Sequence, residues 1–168
     1  MGVLMIDRDD LVYGNYSNDS NNRRKESAKT KQHKEGRTIR DRPEAADNRS
    51  EIGHFEMDLV EGKKGCDDPY LLVLTERKTR MEIIEKIPDK TQSAVIEGLD
   101  RIERRMGVVK FRKLFKSITT DNGREFYDYE CIEESFTKSN IKRTKVYYCD
   151  AYCSWQRGSN ENANRFIR

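Results

Sequence analysis

From residue 52 onward, apolar and polar positions follow one another with periods that identify each element. In HFEMDLVE, Phe55, Met57 and Leu59 alternate with Glu56, Asp58 and Val60, the period of two expected of a strand. The loop GKKGCDDP leads to YLLVLTE, and a short polar turn leads on to RMEIIEKI; both are apolar runs of strand length. Three strands on such short connections predict an antiparallel meander. The period then lengthens. After IPDKT, where Asp89 or Thr91 is placed to cap, Val95, Leu99, Ile102 and Met106 fall at i, i+4, i+7 and i+11, one face of a helix. SITTD is a short β-branched strand ending at Asp121, and Phe126, Tyr129, Ile132 and Phe136 line a second helical face. TKVYYCD reads as a fifth strand and SNENANRFIR as a last helix with Ser159 as its N-cap. The order βββ-α-β-α-β-α predicts an α/β domain. Its sheet is mixed and five-stranded, three antiparallel strands followed by alternating helix and strand, with helices on its faces.

The first 47 residues show no such period. NYSNDSNNRRKESAKTKQHKEGR is rich in Asn, Ser, Lys and Arg, so residues 1–47 are expected to be a polar, basic, disordered segment and 48–168 the folded domain. In a chain of 168 residues with 38% charged residues, a core requires that the apolar residues be concentrated. They lie almost entirely between 52 and 150, and a domain of about 110–120 residues buries about two thirds of its unfolded surface.

Charge adds a partner to this picture. The net charge is only +3, but residues 22–42 hold nine Lys/Arg and residues 101–116 hold seven, Lys110, Arg112 and Lys113 among them. Blocks of this kind suit a polyanion, because Lys and Arg gain by releasing its condensed counterions; a solvated tail and a solvated helix face account for them equally well. The four cysteines (Cys66, Cys131, Cys149 and Cys153) form no CxxC and have poor zinc spacing. Free thiols in a reducing cytosol fit them better. No signal peptide and no apolar stretch near the ~20 residues of a membrane span is legible.

Three carboxylates carry the candidate chemistry. Asp58 lies mid-strand on the face opposite Phe55, Met57 and Leu59. Asp121 ends the fourth strand, where α/β sheets place their ligands. Glu161 falls in the first turn of the last helix. If the fourth strand runs beside the first, Asp58 and Asp121 become neighbours, and a helix packed across them delivers Glu161. Three carboxylates so close repel, each pair at ~4 Å by about 4 kcal/mol at an effective dielectric near 20. A divalent cation at the centre relieves this, and hard oxygen ligands suit Mg²⁺ or Mn²⁺. Spacing alone leaves plainer roles open: a turn signal for Asp121 in DNG, and helix ion pairs of Glu161 with Arg157 and Arg165.

RPEAADNRSEIGHFEMDLV, LLVLTERKTR, ITTDNGREF and YCDAYCSWQRGSNENANRFIR resemble, in this order, the catalytic core of bacterial insertion-sequence transposases of the DDE class, most closely the group named after insertion sequence thirty. The resemblance covers roughly residues 40–168. It implies an RNase H-like fold, with Asp58, Asp121 and Glu161 as the catalytic and metal-binding triad for two Mg²⁺ (or Mn²⁺) ions. It also implies a reaction, cleavage and strand transfer of DNA in which water and then a 3′-hydroxyl attacks phosphorus. Arg157, Asn160, Asn162, Asn164 and Arg165 then surround the glutamate as DNA contacts, with Lys110, Arg112 and Lys113 as a second basic patch, and Trp155 reads as a packing anchor. His54 reads as a satisfied strand side chain rather than a site group. The implied partners are element ends and target DNA, with a homo-oligomer assembled on them, no membrane and no small-molecule substrate, in the bacterial cytoplasm at the nucleoid. The chain departs from the family pattern at Phe55 (tryptophan in the family), Met57 (glycine, so that bulk is expected beside the site) and Ala151 (proline), and it leaves a few more residues between Asp121 and Glu161. No N-terminal helix-turn-helix is legible and the last helix is short, so a core truncated at its C-terminus is expected. Two rivals follow: an inactive truncated transposase that acts only as a DNA-binding or regulatory remnant, and a simple RNase H-type nuclease.

Overall fold

The structure, a computed structural model, describes residues 36–62, 69–137, 141–151, 153 and 156. Its helices are α1 (Glu44–Asp47), α2 (Gln92–Met106), α3 (Val108–Leu114) and α4 (Tyr129–Glu133). Its strands are β1 (His54–Val60), β2 (Tyr70–Glu76), β3 (Glu82–Ile87), β4 (Ser117–Thr120) and β5 (Val146–Tyr148). They form one sheet in the order β3-β2-β1-β4-β5. β1, β2 and β3 are the antiparallel meander read from the alternation, while β4 runs parallel to β1 and β5 parallel to β4. Each parallel step is made through helices, α2 and α3 before β4 and α4 before β5, as parallel pairing requires.

The two faces of the sheet are chemically different. Phe55, Met57, Leu72, Leu74, Ile118 and Val146 face one side and pack with Val95, Leu99 and Ile102 of α2 and Phe111 of α3. Phe115 stacks on both Phe55 and Phe111, with ring centroids 4.2 and 4.0 Å apart. Gly98 lets α2 come this close: a Cβ there would stand 3.0 Å from both Ile87 and Leu72 side-chain carbons. Thr91 caps α2 by accepting from the Ala94 amide, and Asp89 in turn accepts from Thr91, so both capping candidates act in series.

On the other face His54, Glu56, Ser117 and Thr119 are buried but polar. Their cover is the segment expected to be disordered. Residues 36–47 are ordered: Thr38 bridges to Tyr148 beside β5, Ile39 and Ala46 are buried, and Arg37 pairs with the buried Glu133. Buried Arg42 pairs with Asp47 and donates to Thr119 Oγ1 at 3.1 Å. Arg77 pairs with Glu56, which is fully buried, and donates from Nε to the Ala46 carbonyl at 2.8 Å. The order therefore begins before the boundary at residue 48, because single charged side chains tie this stretch to the sheet.

Two helices differ from the periodicity. The second helical face shortens to a 3-10 turn (Arg124–Phe126) and α4. It stops before Phe136, whose amide, with the Ser135 hydroxyl, is drawn to the buried carboxylate of Glu103. α3 was not read at all, since Phe111 is its one buried residue. The last helix, SNENANRFIR, lies outside the described residues. No described helix is long and apolar enough to cross a membrane.

One consequence concerns acid stability. The buried carboxylate of Glu76 closes the β2–β3 hairpin by accepting from the amides of Gly53, Lys78 and Thr79 and from the Thr79 hydroxyl, at 2.6–3.1 Å. Burial pushes its pKa upward, but these four donors outweigh burial and hold it below the ordinary 4.5. A depressed folded pKa contributes stability above the unfolded value and loses it as pH falls through the folded value. Unfolding free energy is thus expected to be flat above about pH 5 and to fall below 4.5. Glu76→Gln is expected to lower stability at pH 7 and flatten this acid limb, measured by urea unfolding at stepped pH; an unchanged limb would remove Glu76 from the account.

Candidate active site

The register of the central strands sets the geometry. His54, Phe55 and Glu56 of β1 lie opposite Ser117, Ile118 and Thr119 of β4. Two residues beyond the last of these pairs, β1 reaches Asp58, and Asp121 is the first residue past the end of β4. Parity puts Asp58 on the polar face with His54, Glu56, Ser117 and Thr119, and Asp121 begins the loop that leaves β4. Both aspartates are half-buried. Asp58 Oδ1 accepts from the Leu59 amide at 3.0 Å, and Asp121 Oδ1 accepts from the Gly123 amide at 2.9 Å. Each carboxylate therefore has one oxygen oriented by a nearby backbone N–H.

The loop that carries Asp121 is tightly built. Asn122 Nδ2 donates to the Cys149 carbonyl at 2.9 Å, and the Cys149 amide donates to the Thr120 carbonyl at 2.9 Å, which continues the β4–β5 ladder past the strand ends. Gly123 lies against Glu125: a Cβ there would stand 2.7–2.8 Å from the Glu125 carboxylate, which would have to shift. Glu125 is itself buried and pairs with Lys90, Nζ to Oε1 at 3.1 Å. Burial disfavours the Lys90 charge, but the bond to Glu125 and the negative charges of Glu125 and Asp121 prevail and raise its pKa above the ordinary 10.5.

The remaining candidates divide. Glu161, Arg157, Asn160, Asn162, Asn164, Arg165 and Trp155 lie outside the described residues. Gln156, just before them, is described: it exchanges hydrogen bonds with Asp150, and its carbonyl lies 3.5 Å from Arg77 Nη1, on the guanidinium that pairs with Glu56. The chain thus reaches residue 156 on the polar face, two positions along β1 from Asp58. Lys110, Arg112 and Lys113 are exposed on α3, which enters β4 at the end away from Asp121, about 13 Å along a four-residue strand. They form a second surface and do not line the carboxylate pair. The rest of that basic block is taken up by the fold: Arg101 and Arg105 pair with Glu85, Arg104 lies over the Phe136 ring, and Lys116 pairs with Glu51.

His54 is a satisfied strand side chain, buried between Ser117 Oγ (2.7 Å from Nδ1) and Glu51 Oε1 (2.9 Å from Nε2) at the far end of β1. Met57 points into the apolar core, so its bulk is not beside Asp58. Lys90 and Glu125 were missed in the sequence. Lys90 sits between two residues legible only as helix caps, and Glu125 looks like any charge after a turn.

Among the described residues no group of three or more His, Cys, Asp or Glu is gathered to hold a metal ion. Asp58 and Asp121 supply hard oxygen donors, a donor type that fits a divalent cation and not a soft metal.

No protein-family model matches the chain. It is 38% identical over 141 residues to the probable transposase for insertion-like sequence element IS1161 of Streptococcus salivarius, covering 83% of this chain and 36% of that protein. It is 36% identical over 133 residues to transposase InsI for insertion sequence element IS30A of Escherichia coli (strain K12), covering 79% and 31%. The chain thus spans about a third of the length of the curated relatives it matches. Among solved structures it is similar to a chain of the simian T-cell lymphotropic virus intasome in complex with PP2A regulatory subunit B56 gamma. The TM-score is 0.52 at 17% identity, over 67% of this chain and 37% of that one. This likeness concerns fold alone, and the sheet order with its crossover helices is RNase H-like.

Proposed function

We propose, on the premise that the chain is homologous over about four fifths of its length to insertion-sequence transposases of the insertion sequence thirty group, that it carries a DDE-type catalytic centre for cleavage and strand transfer of DNA. The observation that carries this reading is the parallel β1–β4 register of an RNase H-like sheet, in which Asp58 follows Glu56 by two residues on β1 and Asp121 follows Thr119 by two just past β4. Glu161 is the third member. Glu161 follows Gln156 by five residues, and the Gln156 carbonyl lies 3.5 Å from the Arg77 guanidinium that pairs with Glu56. The catalytic core begins with the segment from residue 36 that covers the polar face, and residues 48–168 supply the sheet and all three carboxylates.

Asp58, Asp121 and Glu161 would hold two Mg²⁺ or Mn²⁺ ions, which when bound activate the attacking oxygen and stabilise the leaving one. The protein's share is placement. The Leu59 and Gly123 amides fix the two aspartates, and the Arg77–Glu56 and Arg42–Asp47 pairs hold the covering segment and keep that face closed to water upstream of Asp58. Arg157, Asn160, Asn162, Asn164 and Arg165 serve as contacts to phosphate and base edges near the site. Lys110, Arg112 and Lys113 offer a separate phosphate-binding surface a strand's length away, suited to a second stretch of DNA. Element ends and target DNA are the substrates, a homo-oligomer assembles on them, and the setting is the bacterial cytoplasm at the nucleoid.

The test is conversion of labelled element-end DNA to nicked and joined products by the chain in Mn²⁺, against EDTA and against Asp58→Asn. Metal-dependent joining lost in the variant is the expected result. Salt-sensitive DNA binding that needs no metal and survives Asp58→Asn, with no product, would instead support a DNA-binding remnant.

A further inference from the structure

Lys90 lies three residues beyond β3 and directly before the cap of α2, so that its backbone is held on both sides. Asp89 accepts from the Thr91 amide at 3.1 Å, Thr91 caps Ala94, and Gln92 Nε2 donates to the Arg124 carbonyl at 2.9 Å. This last bond ties the start of α2 to the loop after Asp121. The ammonium rests on Glu125 Oε1, and Glu125 is packed against Gly123, whose amide orients Asp121. Lys90 is half-exposed, while Glu125 is buried. A cation is thus built in beside the loop that carries Asp121, within the field of Asp121 as well as of Glu125.

We propose that Lys90, held by Glu125 against the loop of Asp121, is a resident counter-charge to Asp121 in the metal-free protein and opposes the divalent ion that Asp121 would hold. The inference rests on the reading of Asp58 and Asp121 as metal ligands. A unit charge near a divalent ion, in a site open to water, changes the ion's affinity by about three- to tenfold. Lys90 therefore weakens metal binding, the reverse of what a residue that merely supported the loop would do.

The experiment measures Mn²⁺ affinity of the whole chain, by titration with detection of free Mn²⁺ in electron paramagnetic resonance. Lys90→Met is expected to bind Mn²⁺ about three- to tenfold more tightly than wild type, and Lys90→Arg, which keeps the charge, to bind as wild type does. Glu125→Gln, which leaves the ammonium without its acidic partner near Asp121, is expected to bind more weakly. If Lys90→Met binds Mn²⁺ equally or more weakly while wild type binds it in a manner lost in Asp121→Asn, the counter-ion role is overturned and the metal-site reading stands. If wild type shows no Mn²⁺ binding that depends on Asp121, the metal-site reading fails and this inference falls with it.

Discussion

Asp121→Asn is expected to reduce strand transfer at least about a hundredfold while leaving the protein folded. Asparagine keeps the Oδ1 that accepts from the Gly123 amide, so the loop built by Asn122, Gly123 and Glu125 retains its geometry. What is lost is a negative charge at the first residue beyond β4. A single charge partner of the transition state acts on the scale of 10²–10³ in rate. The same loss relieves a repulsion, so the metal-free variant is expected to unfold at the same temperature as wild type or higher. Metal reverses the order. A ligand that binds only the folded state stabilises it by about 2.7 kcal/mol at a hundredfold excess over its dissociation constant, and Mn²⁺ should raise the wild-type midpoint and leave that of the variant in place. A variant that is less stable without metal would mean that Asp121 serves the fold, and that its carboxylate is not held against a like charge.

The sheet was legible because it depends on local pattern. Alternation in HFEMDLVE and the apolar runs YLLVLTE and RMEIIEKI specify three strands; a parallel neighbour reached through α2 then brings SITTD beside the first, and parity does the rest. The covering segment was not legible, since Arg37, Arg42 and Thr38 are anchored by residues 77 to 110 positions away, and nothing near them in sequence marks them as buried. For the same reason the basic blocks promised more free positive charge than the surface offers: Arg37, Arg42, Arg101 and Arg105 are all engaged in the fold. The site's cation was hidden by its setting. Lys90 belongs to the site only because the cap of α2 and the loop after β4 meet in space, a contact that no spacing encodes.

Arg143→Ala is expected to destabilise the domain by about 3–5 kcal/mol, the range for breaking a buried ion pair by removing one partner. That is a large share of the 5–15 kcal/mol by which a domain of this size is stable. Arg143 is a fully buried arginine on the approach to β5. Its guanidinium donates to the Ile132 carbonyl at 2.8 Å, to the Cys131 carbonyl at 3.4 Å and to Glu103 at 3.2 Å, and it pairs with Asp100. Glu103 is also fully buried and accepts from the Ser135 hydroxyl and the Phe136 amide. This one network therefore fastens α2 to the exit of α4 and to the segment entering β5. Alanine strands the Glu103 charge and leaves two carbonyls without their donor. Arg143→Lys is expected to lose less, because the charge remains, but still measurably, since an ammonium cannot reproduce the planar fork. Urea midpoints at constant slope measure each effect. Adding Glu103→Gln to Arg143→Ala should restore part of the loss by removing the stranded charge. A double variant no more stable than Arg143→Ala alone would place the cost in the broken carbonyl contacts and the space left behind, and would show that the buried charge itself contributes little.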